Sequence, residues 1–155
     1  MKKYKKLITY GTFDLFHIGH LNLLKRLKAM TEELIVAVST DEFNSLKKKK
    51  SLIPFEHRAK IVESIKYVDQ VIPEKDWEQK ILDIKSYGID AFAIGDDWKG
   101  EFDYLKEFCD VIYLDRTKNV SSTQLKKSLK NFLSVSPEDL NIAFSILSQL
   151  KQDLE

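Results

Sequence analysis

Five short apolar runs, each followed by a stretch whose apolar residues recur at helical spacing, constrain this chain more than any other feature. The runs cover residues 7–10, 34–38, 68–72, 91–94 and 111–114. Apart from residues 68–72, which Asp69 and Gln70 interrupt, they are largely unbroken rather than alternating, the pattern of a strand covered on both faces. Between and after them, helices are expected over residues 18–29, 55–67, 77–87, 102–108 and 122–132. The punctuation agrees: Pro54 stands near a helix start, Pro73 should stop the third strand, and Gly88 should cap the helix before it. Ser39 or Thr40 could cap a turn of helix after the second strand. Strands alternating with helices make a parallel sheet. The expected fold class is therefore α/β, a Rossmann-like doubly wound sheet of five parallel strands with helices on both faces.

At 155 residues and 43% hydrophobic content, the chain has material for one real core. That domain is assigned to residues 1–132, and residues 133–155 form an amphipathic C-terminal extension. In it, Ser136 caps, Pro137 takes the first helical position, and Glu138 and Asp139 lie near the positive end of the dipole. Leu140, Ala143, Phe144, Leu147, Leu150 and Leu154 then share one face, which must bury itself on the domain or on a partner chain. A net charge of +1 from interspersed signs argues against nucleic acid or an anionic membrane as partner. No apolar run approaches the roughly 20 residues that span a bilayer. The lone cysteine, Cys109, cannot form an internal disulfide. A soluble cytoplasmic protein is expected.

Ligands of doubly wound sheets bind beyond the carboxyl ends of the strands, where strand order reverses. Every polar cluster of this sequence falls at such an end. They are residues 12–20 after strand one, Ser39-Thr40-Asp41 after strand two, residues 95–100 after strand four and residues 116–123 after strand five. In the first cluster His17 and His20 lie three residues apart on one side of a helix start. Two imidazoles could bind a metal or donate to phosphate oxygens. A zinc site lacks a nearby third ligand, while a helix N-terminus already favours an anion, so phosphate is the better ligand.

The motif Gly11-Thr12-Phe13-Asp14 with His17-Ile18-Gly19-His20 resembles the signature of the HxGH nucleotidyltransferase superfamily. Ser39 to Asn44, Glu56-His57-Arg58, Tyr67-Val68-Asp69, Trp77 to Lys80, Gly95 to Gly100 and Arg116-Thr117 resemble the bacterial glycerol-3-phosphate cytidylyltransferases. The likeness covers about residues 5–130. It implies attack by the phosphate of glycerol 3-phosphate on the α-phosphorus of CTP, with release of pyrophosphate and formation of CDP-glycerol for a cell-surface polymer. A phosphate monoester is already ionised near neutral pH, so the burden falls on positioning and positive electrostatics rather than on a base.

By the same resemblance His17, His20, Arg116 and Lys47 are catalytic. Thr12, Phe13, Asp14, Lys49, Asp97, Trp98, Thr117, Ser121, Ser122 and Thr123 would bind the nucleotide. Lys47, Arg58, Asp69, Trp77 and Lys80 would surround the acceptor, with Arg58 binding phosphate or bracing Asp69. Mg²⁺ is implied mainly through substrate phosphates, with Asp14 a possible ligand and no dedicated carboxylate cage. A homodimer is implied as well. Two positions depart from the family: Asn119 stands where glycine is usual, and Lys66 where arginine often precedes Tyr67. The alternatives are the same fold acting on another small phosphorylated acceptor such as phosphoethanolamine, and an inactive nucleotide-binding module.

Overall fold

The computed structural model describes residues 2–118 and 120–154. Asn119, one of the two departures from the family pattern, lies outside them. The chain forms two compact units, the first running to Ser122 and the second beginning at Thr123.

In the first unit five parallel strands are β1 (Tyr4–Gly11), β2 (Thr31–Ser39), β3 (Gln70–Glu74), β4 (Ala91–Gly95) and β5 (Asp110–Leu114). The helices between them are α1 (Ile18–Met30), α2 (Asp41–Leu46), α3 (Phe55–Glu63) and α4 (Gln79–Tyr87), with 3₁₀ turns at Asp96–Trp98 and Asp103–Glu107. The sheet order is β3-β2-β1-β4-β5, and all four neighbouring pairs are parallel. Order therefore reverses between β1 and β4, which opens a crevice at their carboxyl ends.

The unbroken apolar runs work as expected. Along β1 and β2, Leu7, Leu34, Val36 and Val38 enter one core with Leu24 and Leu27 of α1 and Val62 of α3. Ile8, Ile35 and Ala37 enter the opposite core with Ile84 of α4, Phe92, Phe102 and Leu105. Each fully buried leucine, isoleucine or phenylalanine stabilises the fold by about 1.5–3 kcal/mol, so both faces hold the central strands rigid beneath the site.

Several boundaries differ from expectation, each for a local reason. Helix α3 stops at Glu63, and tight turns through Val62, Ile65 and Val68 carry the chain to β3. Pro73 does not end β3 but lies within it, in register with Val38. Since β3 is an edge strand, the missing proline donor faces away from the ladder. Helix α4 starts at Gln79, whose amide the Asp76 carboxylate accepts at 2.7 Å, and Trp77 lies in the preceding loop. Thr40, rather than Ser39, caps α2 by accepting the Phe43 amide.

The second unit carries α5 (Ser122–Leu133) apart from its first residue, and α6 (Pro137–Leu154). Ser136 accepts the Asp139 amide at 3.0 Å and starts α6 as its sequence requires. No residue of either helix is buried. Among the described residues, no helix is long and apolar enough to cross a membrane.

Candidate active site

Helix α1 begins with two histidines that cap each other. The His17 side chain takes the N-cap role, its Nδ1 accepting the Gly19 amide at 3.0 Å. His20, three residues on, returns the favour: its Nδ1 accepts the His17 amide at 3.2 Å. This is the reciprocal logic of a capping box, built from imidazoles. The rings stack with centroids 3.9 Å apart. Because each Nδ1 is an acceptor, the proton of each neutral ring sits on Nε2. Burial, then the neighbouring His17, pushes His20 down to about 4, and burial lowers His17 as well. Both rings are thus neutral Nε2–H donors at physiological pH.

The turn leading to them is tightly determined. Phe13 and Leu15 hold positive φ angles of 53° and 48°, a strained backbone that persists only where surroundings enforce it. Phe13 is buried, and its ring packs so closely on Gly11 that a Cβ there would lie 2.9 Å from it. A Cβ at Gly19 would meet the His17 ring at 2.8 Å. The Asp14 carboxylate accepts the amides of Leu15, Leu52 and Ile53 at 3.1, 2.7 and 3.0 Å. Asp14 is consequently a brace between two loops, holding both through backbone donors.

Arg58 has the same character. It is fully buried, donating from Nε to the Ile53 carbonyl, from one terminal nitrogen to the Thr12 and Ser39 carbonyls, and from the other to Asp41 at 2.7 Å. Its guanidinium ties the ends of β1 and β2 to the loop before α3. The expected brace of Asp69 is not formed. Asp69 accepts the Leu34 amide and pairs with Lys28. That places it beside the start of β2, roughly 16 Å along the strand from the crevice at 3.3 Å per residue, so it does not border an acceptor there. A strand-flanking carboxylate satisfying a backbone amide explains the position. Lys66 lies over the Tyr67 ring at 5.2 Å.

At the far end of the crevice the structure brings together most of the residues assigned to the acceptor. Lys80 is fully buried and lies over Tyr10, Trp77 and Phe102 at 4.5, 5.0 and 5.5 Å. Lys47, at the end of α2, lies over Phe43 at 4.3 Å and Trp77 at 5.7 Å. Lys49 lies over Trp98 at 5.5 Å. Trp77 and Trp98 are 6.0 Å apart between centroids, so the two tryptophans form one wall. Both lysines that touch Trp77 also share the carboxylate of Glu74, a residue the sequence did not single out. The signal lay in its place directly after Pro73, at the carboxyl end of β3.

Arg116 pairs with Asp97 across the ends of β4 and β5. Both side chains are substantially exposed, so their contact costs little to open, at most about 1 kcal/mol. Thr117 accepts weakly from Asn22 of α1 at 3.5 Å. Ser122 donates to the Asp14 carbonyl at 2.6 Å and so joins the histidine loop to the loop after β5. Ser121 adjoins it, Thr12 bonds Asn44 at 3.0 Å through its hydroxyl, and Thr123 falls in the second unit. Among the described residues, no cluster of three histidine, cysteine or carboxylate side chains could hold a metal ion.

A cytidylyltransferase-like family model matches residues 8–128. Glycerol-3-phosphate cytidylyltransferases of Bacillus spizizenii and Bacillus subtilis are 62% and 56% identical over 125 residues, which is 81% of this chain and 97% of each of theirs. That of Staphylococcus aureus is 54% identical over 81% of this chain and 95% of its own. The crystal structure of a lipopolysaccharide core biosynthesis protein from Thermoplasma volcanium, 21% identical, shares the fold with a TM-score of 0.67 over 74% of this chain and 98% of that one. With His17 capping α1, His20 on its first turn and the match extending across all five strands, the chain belongs to the cytidylyltransferase-like family, among the glycerol-3-phosphate cytidylyltransferases.

Proposed function

We propose that the protein transfers CMP from CTP to sn-glycerol 3-phosphate, giving CDP-glycerol and pyrophosphate for a cell-surface polymer. The observation that carries this reading is the reciprocal histidine cap, which turns two neutral Nε2–H donors into part of an anion-binding helix start. A phosphate oxygen of the acceptor attacks the α-phosphorus, and the bond to the α,β-bridging oxygen breaks. No proton need be removed from an ionised phosphate, so the protein's contribution is charge and placement. His17 and His20 donate to the α-phosphate oxygens as charge develops, and Arg116 exchanges Asp97 for the triphosphate. Lys47 and Lys80, beside the tryptophan wall, meet the acceptor's phosphate.

Mg²⁺ belongs to this reading as the ion that arrives with CTP, held by phosphate oxygens. Asp14, engaged by three amides, is not assigned to it. The cytoplasm, where CTP is available, is the proposed location. A homodimer is part of the proposal, supported by the apolar stripe of α6, where Leu140, Leu147 and Leu150 are each more than half exposed. Two copies of α6 placed antiparallel, with Leu140 opposite Leu150 and Ala143 opposite Leu147, bring the acids of each first turn towards Lys151 in the last turn of the other. Mass in solution of the full chain and of a chain ending at Lys130 tests it; an unchanged oligomer removes α6 from the interface.

The test of the reaction is pyrophosphate release across a panel of nucleoside triphosphates and phosphorylated acceptors. Turnover confined to CTP with glycerol 3-phosphate is expected. Turnover only with phosphoethanolamine or another polyol phosphate would replace the acceptor, and CTP binding without product would make the protein a nucleotide-binding module.

A further inference from the structure

One carboxylate in the acceptor end of the crevice serves two ammonium groups. Glu74 is buried, with Oε1 2.8 Å from Lys80 and Oε2 3.7 Å from Lys47. Ser39, also buried, donates its hydroxyl to Oε2 and accepts from Lys47 at 3.0 Å. The backbone is engaged as well, since the Glu74 carbonyl accepts the Thr40 amide at 2.9 Å. Trp77 covers both ammonium groups. The local sum is two positive charges on one negative, in a place where water is scarce. A surplus of that kind stabilises an incoming anion far more than an exposed lysine does.

The two lysines are held differently. Lys80 rises from α4, fully buried, with a short contact to Oε1. Lys47 sits at the end of a six-residue helix, before a residue of positive φ, with a longer contact to Oε2. We propose that Glu74 is the positioning residue for the acceptor phosphate, fixing Lys80 in place and holding Lys47 by a looser contact that the phosphate takes over. This rests on the transferase reading above and names the group that sets its acceptor end.

The electrostatics run the same way. Burial brings the Lys47 ammonium down to about 8, while Glu74 raises it and Lys49 and Lys80 lower it further. Those three charged groups, from β3, the loop after α2 and α4, are the ones that face it. Without the Glu74 charge, Lys47 would lose its proton at still lower pH.

Glu74→Gln keeps the shape and removes the charge. We expect the KM for glycerol 3-phosphate to rise about tenfold, the equivalent of 1.4 kcal/mol, with the KM for CTP changing less than about twofold. The alkaline limb of kcat/KM for the acceptor should move about one unit lower, and Glu74→Asp should restore it in part. A purely structural residue would lower activity without moving that limb. An unmoved limb and an unchanged acceptor KM overturn the proposal. Should Glu74→Gln not fold, Ser39→Ala removes the hydroxyl that joins Glu74 to Lys47 without deleting a charge. It should raise the acceptor KM severalfold with the CTP KM constant, and an unchanged acceptor KM overturns the proposal. Lysine side-chain NMR titration without substrates gives a separate readout: Lys47 must titrate lower in Glu74→Gln. A wild-type protein inactive on glycerol 3-phosphate defeats the transferase reading yet leaves that titration to decide the role of Glu74.

Discussion

His17 and His20 stack face to face, and each ring receives a backbone amide on Nδ1. Protonating either would place a cation against its neighbour and break the cap, so the pair is built to stay neutral. In the proposed reaction the positive charge at the nucleotide comes instead from Arg116, to which the α1 amides add their partial charges.

A stability measurement exposes this. Between about pH 4 and the ordinary histidine value of 6.5, the unfolded chain binds a proton at His20 that the folded chain refuses. Stability should therefore fall as pH drops through that window, by up to about 3 kcal/mol. His20→Gln retains a side chain able to accept the His17 amide while removing the titration. Urea midpoints from pH 7 to 4 should decline less in the variant; identical slopes would show that His20 ionises freely.

His17→Ala should reduce kcat by about 10²–10³-fold, with a small change in the KM for CTP, because its donor matters most as charge grows on the phosphoryl oxygens. Gly19→Ala should imitate part of that loss by pushing the His17 ring aside. Steady-state kinetics on both variants checks the pair of claims, and equal losses in binding and rate would assign His17 to the ground state.

Arg58→Met should act on folding before it acts on substrate. It leaves the Thr12, Ser39 and Ile53 carbonyls without their donor and Asp41 without its cation. A loss of about 3 kcal/mol or more is expected, read by denaturant unfolding. An acceptor KM defect at full stability would return Arg58 to the binding surface.

Asp97→Asn should leave Arg116 without its resting partner and leave stability almost unchanged, within about 1 kcal/mol. Arg116→Ala should raise the KM for CTP strongly. An Arg116→Ala enzyme with the wild-type KM would remove that residue from the triphosphate.

The sheet, its crevice and the helix-start histidines were legible because each depends on local pattern: apolar runs, a glycine-bearing turn and helical spacing. Resemblance names Lys47, Trp77 and Lys80 for the acceptor but places Trp98 with the nucleotide, whereas its ring lies 6.0 Å from that of Trp77. What pattern does not encode is which buried partner a charged side chain meets across the fold. Arg58, for which the sequence leaves phosphate binding or a brace of Asp69 open, meets Asp41 instead, a choice settled by where α3 ends and β3 begins. Glu74 escaped notice for the same reason, since its two lysines come from α2 and α4. Pro73 misled because strand position in the sheet, edge or centre, is a tertiary property.

The uneven burial around the crevice has a consequence for how such an enzyme can diversify. Phe13, Asp14 and Arg58 around the histidine turn, and Glu74 and Lys80 beside the tryptophan wall, are almost wholly enclosed, whereas Trp77 is 43% exposed. A change at an enclosed position must survive as a folding problem before it can be tried as chemistry. A change at Trp77 or at the exposed Arg116 and Asp97 costs the fold less. Drift in such a scaffold therefore starts at its open positions, whichever substrate they face.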